Sequence, residues 1–430
     1  MTFKLNPLCA LALCAAALPA AAQVTFRDYA AAVAKYSLDL QMQRENVSSA
    51  QAGISIAGVR PDPVLTAGID SKELSAANKP NASTAMTMGV ALTIETAGKR
   101  AQRIRVAQSA VRLGEATLEG GRRQLYADAA AAYAESCRAR NALERQEATL
   151  RALGEIVSAN NVRRKVGDIG GLELAQSQVE HDRFEADVVT ARAQVQTSAE
   201  ALSIPLGRRY SEVFGNAALA CDAPAVSGLN DVEQLARQAQ DERDDIRIAQ
   251  AALEAARSSA GLAQANRWVD PVLNVSLKNT PAVRPVLDAG GATSNSPTQR
   301  SLSLGLTVSV PIPLSRTQRG EVLQAQSAVT QATLALRSAE LKAQTDVRRV
   351  YAQFRAAQAN EQRYRESVLV HADKVAEGMR LSYKKGAASL LELLSAQRSA
   401  DEVYLAWLQA TADLATATVQ LQLAAGASPD

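Results

Sequence analysis

Apolar and polar residues alternate in three short parts of the chain. The longest is residues 300–312, where six apolar residues from Leu302 to Ile312 are separated by small or polar ones. Period-two alternation predicts β-strands with one apolar face and one polar face. The same pattern predicts strands at about 84–95 and 271–278, and residues 63–71 also read as a strand.

Between these strands the pattern changes to the helical period. Residues 99–166 read as one mostly continuous helix, roughly 100 Å long at 1.5 Å per residue. Gly120-Gly121 is the weakest point of that helix. A second very long helix is predicted from about 316 to 385. The remaining predicted helices are 25–58, 172–203, 231–267 and 389–425.

The second half of the chain repeats the first. Residues 60–65 (RPDPVL) match residues 268–273 (WVDPVL), each just before a predicted strand. The turns after the long helices align at a constant offset, with Gly167 matching Gly386 and Glu173 matching Glu392. Each half is therefore helix, two strands, very long helix, turn and medium helix. The predicted repeats are 23–207 and 231–430, joined by an irregular segment, 208–230.

The N-terminus has the pattern of a secretory signal. Lys4 precedes an apolar run that ends in small residues, so residues 1–22 are a predicted signal peptide with cleavage near Gln23. A lipid-anchored N-terminus at Cys14 is the alternative. After residue 22 no stretch approaches the roughly 18–20 apolar residues of a spanning helix, so entry into a membrane requires strands closed into a barrel.

Four strands cannot close a barrel, because a sheet edge cannot stay unpaired in lipid. Three chains would supply twelve strands, and twelve residues at a tilt near 45° rise roughly 28 Å, close to the apolar band of an outer-membrane barrel. The alanine-rich long helices would pack side by side into a tube. The predicted fold class is thus mainly α with a small transmembrane β part, as a homotrimer in contact with lipid.

The remaining composition argues against several functions. The formal net charge of +3 falls by one when the signal peptide is removed, so nothing indicates nucleic-acid binding. The sequence has no catalytic motif and no phosphate-binding loop, so neither an enzyme nor a bound cofactor is predicted. His181 and His371 have no companion cysteine or acidic cluster at metal-ligand spacing, and no metal site is predicted.

Residues 381–397 (LSYKKGAASLLELLSAQ) resemble the second-repeat turn of the TolC-like outer-membrane efflux proteins. Residues 93–100 and 310–316 resemble the strand exits of the heavy-metal, CzcC-like branch. The resemblance implies a trimeric twelve-strand barrel in the outer membrane, continuous with an α-helical tunnel in the periplasm. It also implies docking to a periplasmic adaptor and an inner-membrane pump of the resistance–nodulation–division (RND) class.

The resemblance also implies the site residues. The tip turns, about 166–171 and 385–389, contain Gly167, Gly171, Gly386 and Ser389. Glu173 and Glu392 match acidic positions of the family's pore constriction, whereas the second acidic position of the second turn is Ser395 here. A ring of carboxylates would favour cations. The alternative is that each glutamate only caps its helix. Basic residues before both turns either tie helices together or contact an adaptor.

Two cysteines, Cys137 and Cys221, remain after signal removal. An exported chain can oxidise them. In the family the inter-repeat segment wraps the middle of the tunnel, so the resemblance supports a disulfide hypothesis; two separate thiols are the alternative.

Together these features predict a passive exit duct of a tripartite efflux system, with heavy-metal cations such as cobalt, zinc or cadmium as cargo. The same duct could serve drug efflux or type I protein secretion. A non-transporting periplasmic coiled-coil protein is the alternative from another class.

Overall fold

The structure is a computed structural model that describes residues 23–70, 85–222, 231–282, 290–291, 299–313 and 318–427. The predicted signal peptide, residues 1–22, lies outside the described residues. So do residues 223–230 of the predicted inter-repeat segment and residues 314–316 of the predicted second strand exit.

Helices make up most of the described chain. Each half has a pair of helices, a strand pair, a long helix and a returning helix, as the repeat predicts. The first half contains α1 (Phe26–Tyr36), α2 (Leu38–Gly58), α3 (Lys99–Lys165), α4 (Gly171–Ala201), α5 (Ser203–Leu206) and α6 (Tyr210–Phe214). The second half contains α7 (Val232–Glu242), α8 (Asp244–Ala265), α9 (Arg319–Arg363), α10 (Leu369–Lys384) and α11 (Leu390–Ala424).

The helix before each strand pair is broken, where the sequence predicted a single one. Ser37 leaves the helical conformation, with ψ at 127°, and its side chain accepts the N–H of Leu40, so it ends α1 and caps α2. Arg243, with ψ at 136°, separates α7 from α8 in the same way. The predictions of unbroken helices over 25–58 and 231–267 were therefore wrong.

α3 runs through Gly120-Gly121 without interruption. A Cβ at Gly120 would lie 3.1 Å from Ile248 Cδ1 of α8, and one at Gly121 would collide with the Gln43 side chain of α2. The glycines therefore let α2 and α8 approach α3 closely.

The second long helix contains a π-helical turn, Tyr364–Val368, between α9 and α10. The sequence explains it. The pentapeptide AQSAV occurs at 107–111 and again at 325–329, an offset of 218 residues, whereas Gly167 and Gly386 are 219 apart. One extra residue has entered the second long helix, and a π turn accommodates a single added residue without breaking the helix.

The four strands form one antiparallel sheet in the order β1 (Val64–Asp70), β2 (Ala85–Thr93), β3 (Val272–Thr280), β4 (Ser301–Ser309). Its apolar face is uncovered, and Leu304 is 76% exposed. β4 ends three residues earlier than predicted, since Pro311 and Pro313 cannot donate to a sheet. One row across the sheet is Leu65, Val90, Val275 and Leu306, and the next is Thr66, Gly89, Ser276 and Gly305.

Below the sheet the helices pack side by side in a single layer. Near the strands the order is α2, α3, α8, α9, and towards the turns it is α4, α3, α11, α10. The main core lies about halfway along α3, where α1, α5 and the segment after α6 pack against it around Tyr29 and Tyr133. No described helix is both long and apolar enough to cross a membrane.

Candidate functional site

The two turns at the far end of the long helices have the same backbone geometry. Each begins at a glycine with a positive φ, 81° for Gly167 and 73° for Gly386. In both, the glycine N–H donates to the carbonyl three residues back and the next N–H to the carbonyl five residues back, at 2.9–3.1 Å. Only glycine adopts this conformation without strain. Gly171 differs, because it is the first residue of α4 and has no positive φ.

Glu392 lies in the first turn of α11 and forms a capping box with Ser389. The Ser389 N–H and hydroxyl donate to Glu392 Oε2 at 2.8 and 2.9 Å, and the Ser389 hydroxyl accepts the Glu392 N–H at 3.3 Å. The backbone and hydroxyl hydrogen bonds from Ser389 hold the pKa of Glu392 below its usual range. Glu392 is thus an ionised, exposed helix cap.

Glu173 occupies the matching position in α4 but has a different partner. Gly170 stands at the N-cap and has no side chain to complete a capping box. The hydroxyl of Tyr383, at the end of α10, lies 3.3 Å from Glu173 Oε1 and 2.7 Å from Asn160 Oδ1. Burial raises the pKa of Tyr383, and the nearby Glu173 carboxylate adds to the effect. Glu173 therefore takes part in a contact between the two turns.

Two of the basic residues before the turns, Arg163 and Arg380, bind within the chain. Arg163 Nε donates to Asp168 Oδ2 at 2.6 Å, and its guanidinium lies 5.5 Å from the centre of the Tyr383 ring. Arg380 donates to Gln397 Oε1 at 3.1 Å, which joins α10 to α11. These two residues tie helices together, one of the two roles that the sequence left open.

His181 has acidic neighbours, contrary to the prediction. The ligand atoms of His181, Asp182 and Glu185 lie within 4.8 Å of one another on the surface of α4, and His181 Nδ1 is 3.1 Å from Asp182 Oδ1. The spacing i, i+1, i+4 is readable from the sequence, since residues four apart share a helix face. The cluster holds no fully buried group.

Cys137 and Cys221 form a disulfide, with their Cα atoms 5.5 Å apart. It fixes the segment after α6 to the middle of α3. The N–H of Cys221 donates to the Tyr133 hydroxyl at 3.0 Å, and that hydroxyl lies 2.8 Å from Asp222 Oδ1. Val24 bonds to the same segment through both its N–H and its carbonyl. The segment predicted as irregular therefore includes a helix, α6, and ordered contacts.

A polar junction under the sheet joins the two halves, and sequence reasoning did not predict it. Lys99 Nζ lies 2.7 Å from Asp270 Oδ2, and the Thr96 N–H donates to Asp270 Oδ1 at 2.8 Å. Burial opposes ionisation of Asp270, but these bonds outweigh it and lower its pKa. Glu95 pairs with Arg103, which also donates to the carbonyl of Val59 at 2.9 Å. The residues that resemble the CzcC-like branch thus hold the strand exit in place.

Comparison with known proteins agrees with this architecture. The sequence model of a family described as "outer membrane efflux protein" matches residues 32–208 and 235–427. The cobalt-zinc-cadmium resistance protein CzcC of Cupriavidus metallidurans is 22% identical over 392 residues, which is 90% of this chain and 87% of CzcC.

Several solved structures share the fold. A membrane protein from Pseudomonas aeruginosa superposes with a TM-score of 0.76 at 19% identity, over 94% of this chain and 90% of that one. The outer membrane protein VceC from Vibrio cholerae has a TM-score of 0.72 at 20% identity, over 94% and 96% of the two chains.

Proposed function

The chain belongs to the family of outer membrane efflux proteins, and from this premise we propose that three copies form the exit duct of a tripartite efflux system. Members of this family are transport proteins of the outer membrane and not enzymes, which is the class expected from the sequence. The observation that carries the proposal is a two-faced sheet with two open edges, continuous with a helix layer that also has two open edges.

The open sheet edges favour closure by further copies. Within the described residues, β1 and β4 each pair on one side only, and a strand edge in lipid leaves its N–H and C=O groups without partners. Repeating the β2–β3 register at the seam would place Gly305 opposite Asp70 of the next copy, just as Thr87 lies opposite Lys278.

That register sets the tilt of the strands in the closed barrel. The row from Thr66 to Gly305 would meet the next copy at Asp70, four residues further along β1. Three copies then stagger the strands by about twelve residues, which at spacings of about 3.4 and 4.8 Å corresponds to a strand tilt of about 35°. This lies within the range of about 35–45° for outer-membrane barrels.

The helix layer also has uncovered apolar residues at its edges. Ile56 on α2 is 74% exposed, and Leu323 and Leu341 on α9 are more than 60% exposed. A water-soluble single chain rarely leaves so many large apolar side chains uncovered. They would be buried if α9 of one copy packed against α2 of the next, which would close the layer into a tunnel.

Heavy-metal cations are the proposed cargo. The similarity to CzcC, a cobalt-zinc-cadmium resistance protein, supports this choice, and so does the resemblance of residues 93–100 to the CzcC-like branch. A passive duct requires energy and selection from an inner-membrane RND pump and a periplasmic adaptor. Drug efflux or protein secretion through the same duct is the competing assignment.

Deletion of the gene tests the cargo. The deletion strain is expected to become sensitive to cobalt, zinc or cadmium, and the wild-type gene on a plasmid should restore resistance. Unchanged metal tolerance together with new sensitivity to organic drugs would favour the competing assignment. Normal tolerance to all of them would contradict a role in efflux.

Charge substitutions test the pore constriction. Glu173→Gln with Glu392→Gln is expected to reduce the cation selectivity of the purified protein in planar bilayers, because six negative charges leave the narrow end. Glutamine still serves in the capping box of α11, so the fold is kept. Glu212→Gln, in α6 far from the turns, is the matched control. Identical selectivity in all three proteins would show that neither glutamate lines the pore.

A further inference from the structure

A buried ion pair joins α3 to α11 within the chain. Asp401 is 3% exposed, and its Oδ1 accepts Arg145 Nε at 2.8 Å and the Thr149 hydroxyl at 2.9 Å. Gln397 donates to Asp401 Oδ2 at 3.4 Å, and Asp373 lies 3.5 Å from the Arg145 guanidinium. A carboxylate this deeply buried persists only when it is paired and hydrogen-bonded.

The internal repeat duplicates this set of residues. On the long helices the offset is 218 up to the π turn, so Arg145 corresponds to Arg363. The same offset carried into the π turn aligns Thr149 with Ser367. On the returning helices the offset is 219, so Gln397 corresponds to Gln178 and Asp401 to Asp182. Each position keeps its chemistry: arginine, hydroxyl, glutamine and aspartate.

The duplicated residues lie apart in a single chain. Arg363 ends α9, which continues into α10 at one lateral edge of the layer, and Asp182 lies on α4 at the other edge. Both are exposed, Asp182 to 76% of its side chain. Within the described residues Arg363 forms no ion pair, and the ion pair of Asp182 is with His181.

We infer that Arg363 of one copy pairs with Asp182 of the next copy and thereby joins α9 to α4 at the seam between subunits. The inference rests on the proposed trimer, because the two edges meet only when copies form a ring. α3 lies between α4 and α11, and α9 would lie in the same way between α11 and α4 of the neighbour. The seam would thus repeat a contact that the chain already makes internally.

The inference also gives the acidic cluster on α4 an occupant. Arg145 has two carboxylates, Asp401 and Asp373. Arg363 would likewise have two, because Glu185 lies beside Asp182. A guanidinium binds paired carboxylates through several N–H donors at once. The cluster is then half of a subunit interface, and a divalent cation is the alternative occupant.

Charge exchange tests the pair in the full-length protein purified in detergent. Arg363→Glu and Asp182→Arg are each expected to weaken trimer association about tenfold or more, as read from the trimer fraction by light scattering across a dilution series. The combined exchange should restore association, because the pair is rebuilt in reverse. Arg355→Glu, an exposed arginine on the same helix whose counterpart is Cys137, is the control and should leave association unchanged.

Cross-linking tests the geometry. Ser367→Cys combined with Asp182→Cys should give covalent dimers and trimers on non-reducing gels, whereas either cysteine alone, or Ser367→Cys with Asp187→Cys, should not. Trimers that conduct ions but show neither cross-link nor rescue would overturn the proposed Arg363–Asp182 pair and leave the proposed duct unaffected. Failure of the wild-type chain to form any oligomer would overturn both proposals.

A metal titration tests the alternative occupant of the cluster. Titration of the assembled protein with zinc chloride should show no binding that Asp182→Ala abolishes. Such binding would assign the cluster to a metal.

Discussion

The two repeats have the same order of elements but differ in a few local features. Both contain a broken helix pair, two strands, a long helix and a glycine turn with the same hydrogen bonds. Within the described residues, the disulfide links the first repeat to the segment between the repeats, and only the second repeat has a π turn. The returning helices are capped differently, by Gly170 in one case and Ser389 in the other.

The comparison separates what a ring requires from what each repeat adds. Features shared by both halves, such as the turn glycines and the two-faced strands, are those that each repeat needs in order to pack beside the next repeat in the proposed ring. The features that differ between the halves are the disulfide at the middle of α3, the π turn in the second long helix and the caps of the returning helices. A one-residue insertion survives as a π turn because the widened turn keeps the helix and its downstream register intact.

The largest expected effect comes from removing the disulfide that fixes the segment between the repeats to α3. Cys137→Ser with Cys221→Ser opens a link between residues 84 apart in sequence. Loop-closure entropy predicts a loss of about 4.5 kcal/mol in the free energy of unfolding. Thermal unfolding followed by circular dichroism measures it. Wild-type protein in a reductant should lose the same amount, and an unchanged Tm in both would show that the link contributes nothing.

The turn glycines should behave alike in the two repeats. Gly167→Ala and Gly386→Ala each force an alanine into positive φ, at an expected cost of about 1–2 kcal/mol. Gly171→Ala is the matched control, because this residue is helical and its nearest neighbour would be Arg164 Nε at 3.8 Å. Alanine there should stabilise by a few tenths of a kcal/mol. A loss as large as that of Gly167→Ala would contradict this assignment.

The smallest effects concern the helix caps. Ser389→Ala should destabilise α11 by about 1 kcal/mol, while Gly170→Ser, with space for a Cβ, should complete a capping box with Glu173. The pKa of Glu392 is lower in the folded state, so its stabilising effect is complete above the usual value of 4.5 and disappears as the pH falls through the folded value. Ser389→Ala should flatten this part of the stability–pH curve; an unaltered curve would contradict the cap.

The sequence predicted the features that have a period or a repeat. The alternation in 84–95 and 300–312 located β2 and β4, and helical spacing located α3 to within one residue of its end. The family resemblance is confirmed, and the final helix begins one residue after the predicted position because Ser389 is its N-cap. The pore roles of Glu173 and Glu392 stay predictions.

Other features depend on contacts between distant parts of the chain, which no local pattern reveals. The Lys99–Asp270 pair joins residues 171 positions apart. The breaks at Ser37 and Arg243 occur without proline or glycine, so the usual helix-stop signals do not indicate them. The sequence suggested that α3 is weak at Gly120-Gly121, but α2 and α8 pack into the space left by the missing side chains. The π turn is indicated in the sequence only by the change of the repeat offset from 218 to 219 residues.

The uncovered apolar face of the sheet has a genetic consequence. In the proposed trimer each chain contributes four strands to a shared wall and cannot pair its sheet edges alone, so we expect membrane insertion and association to occur together. A variant that associates normally but has a blocked tip would inactivate every trimer that contains it. Such alleles should be dominant-negative when co-expressed with the wild type, whereas alleles that break the seam should be recessive.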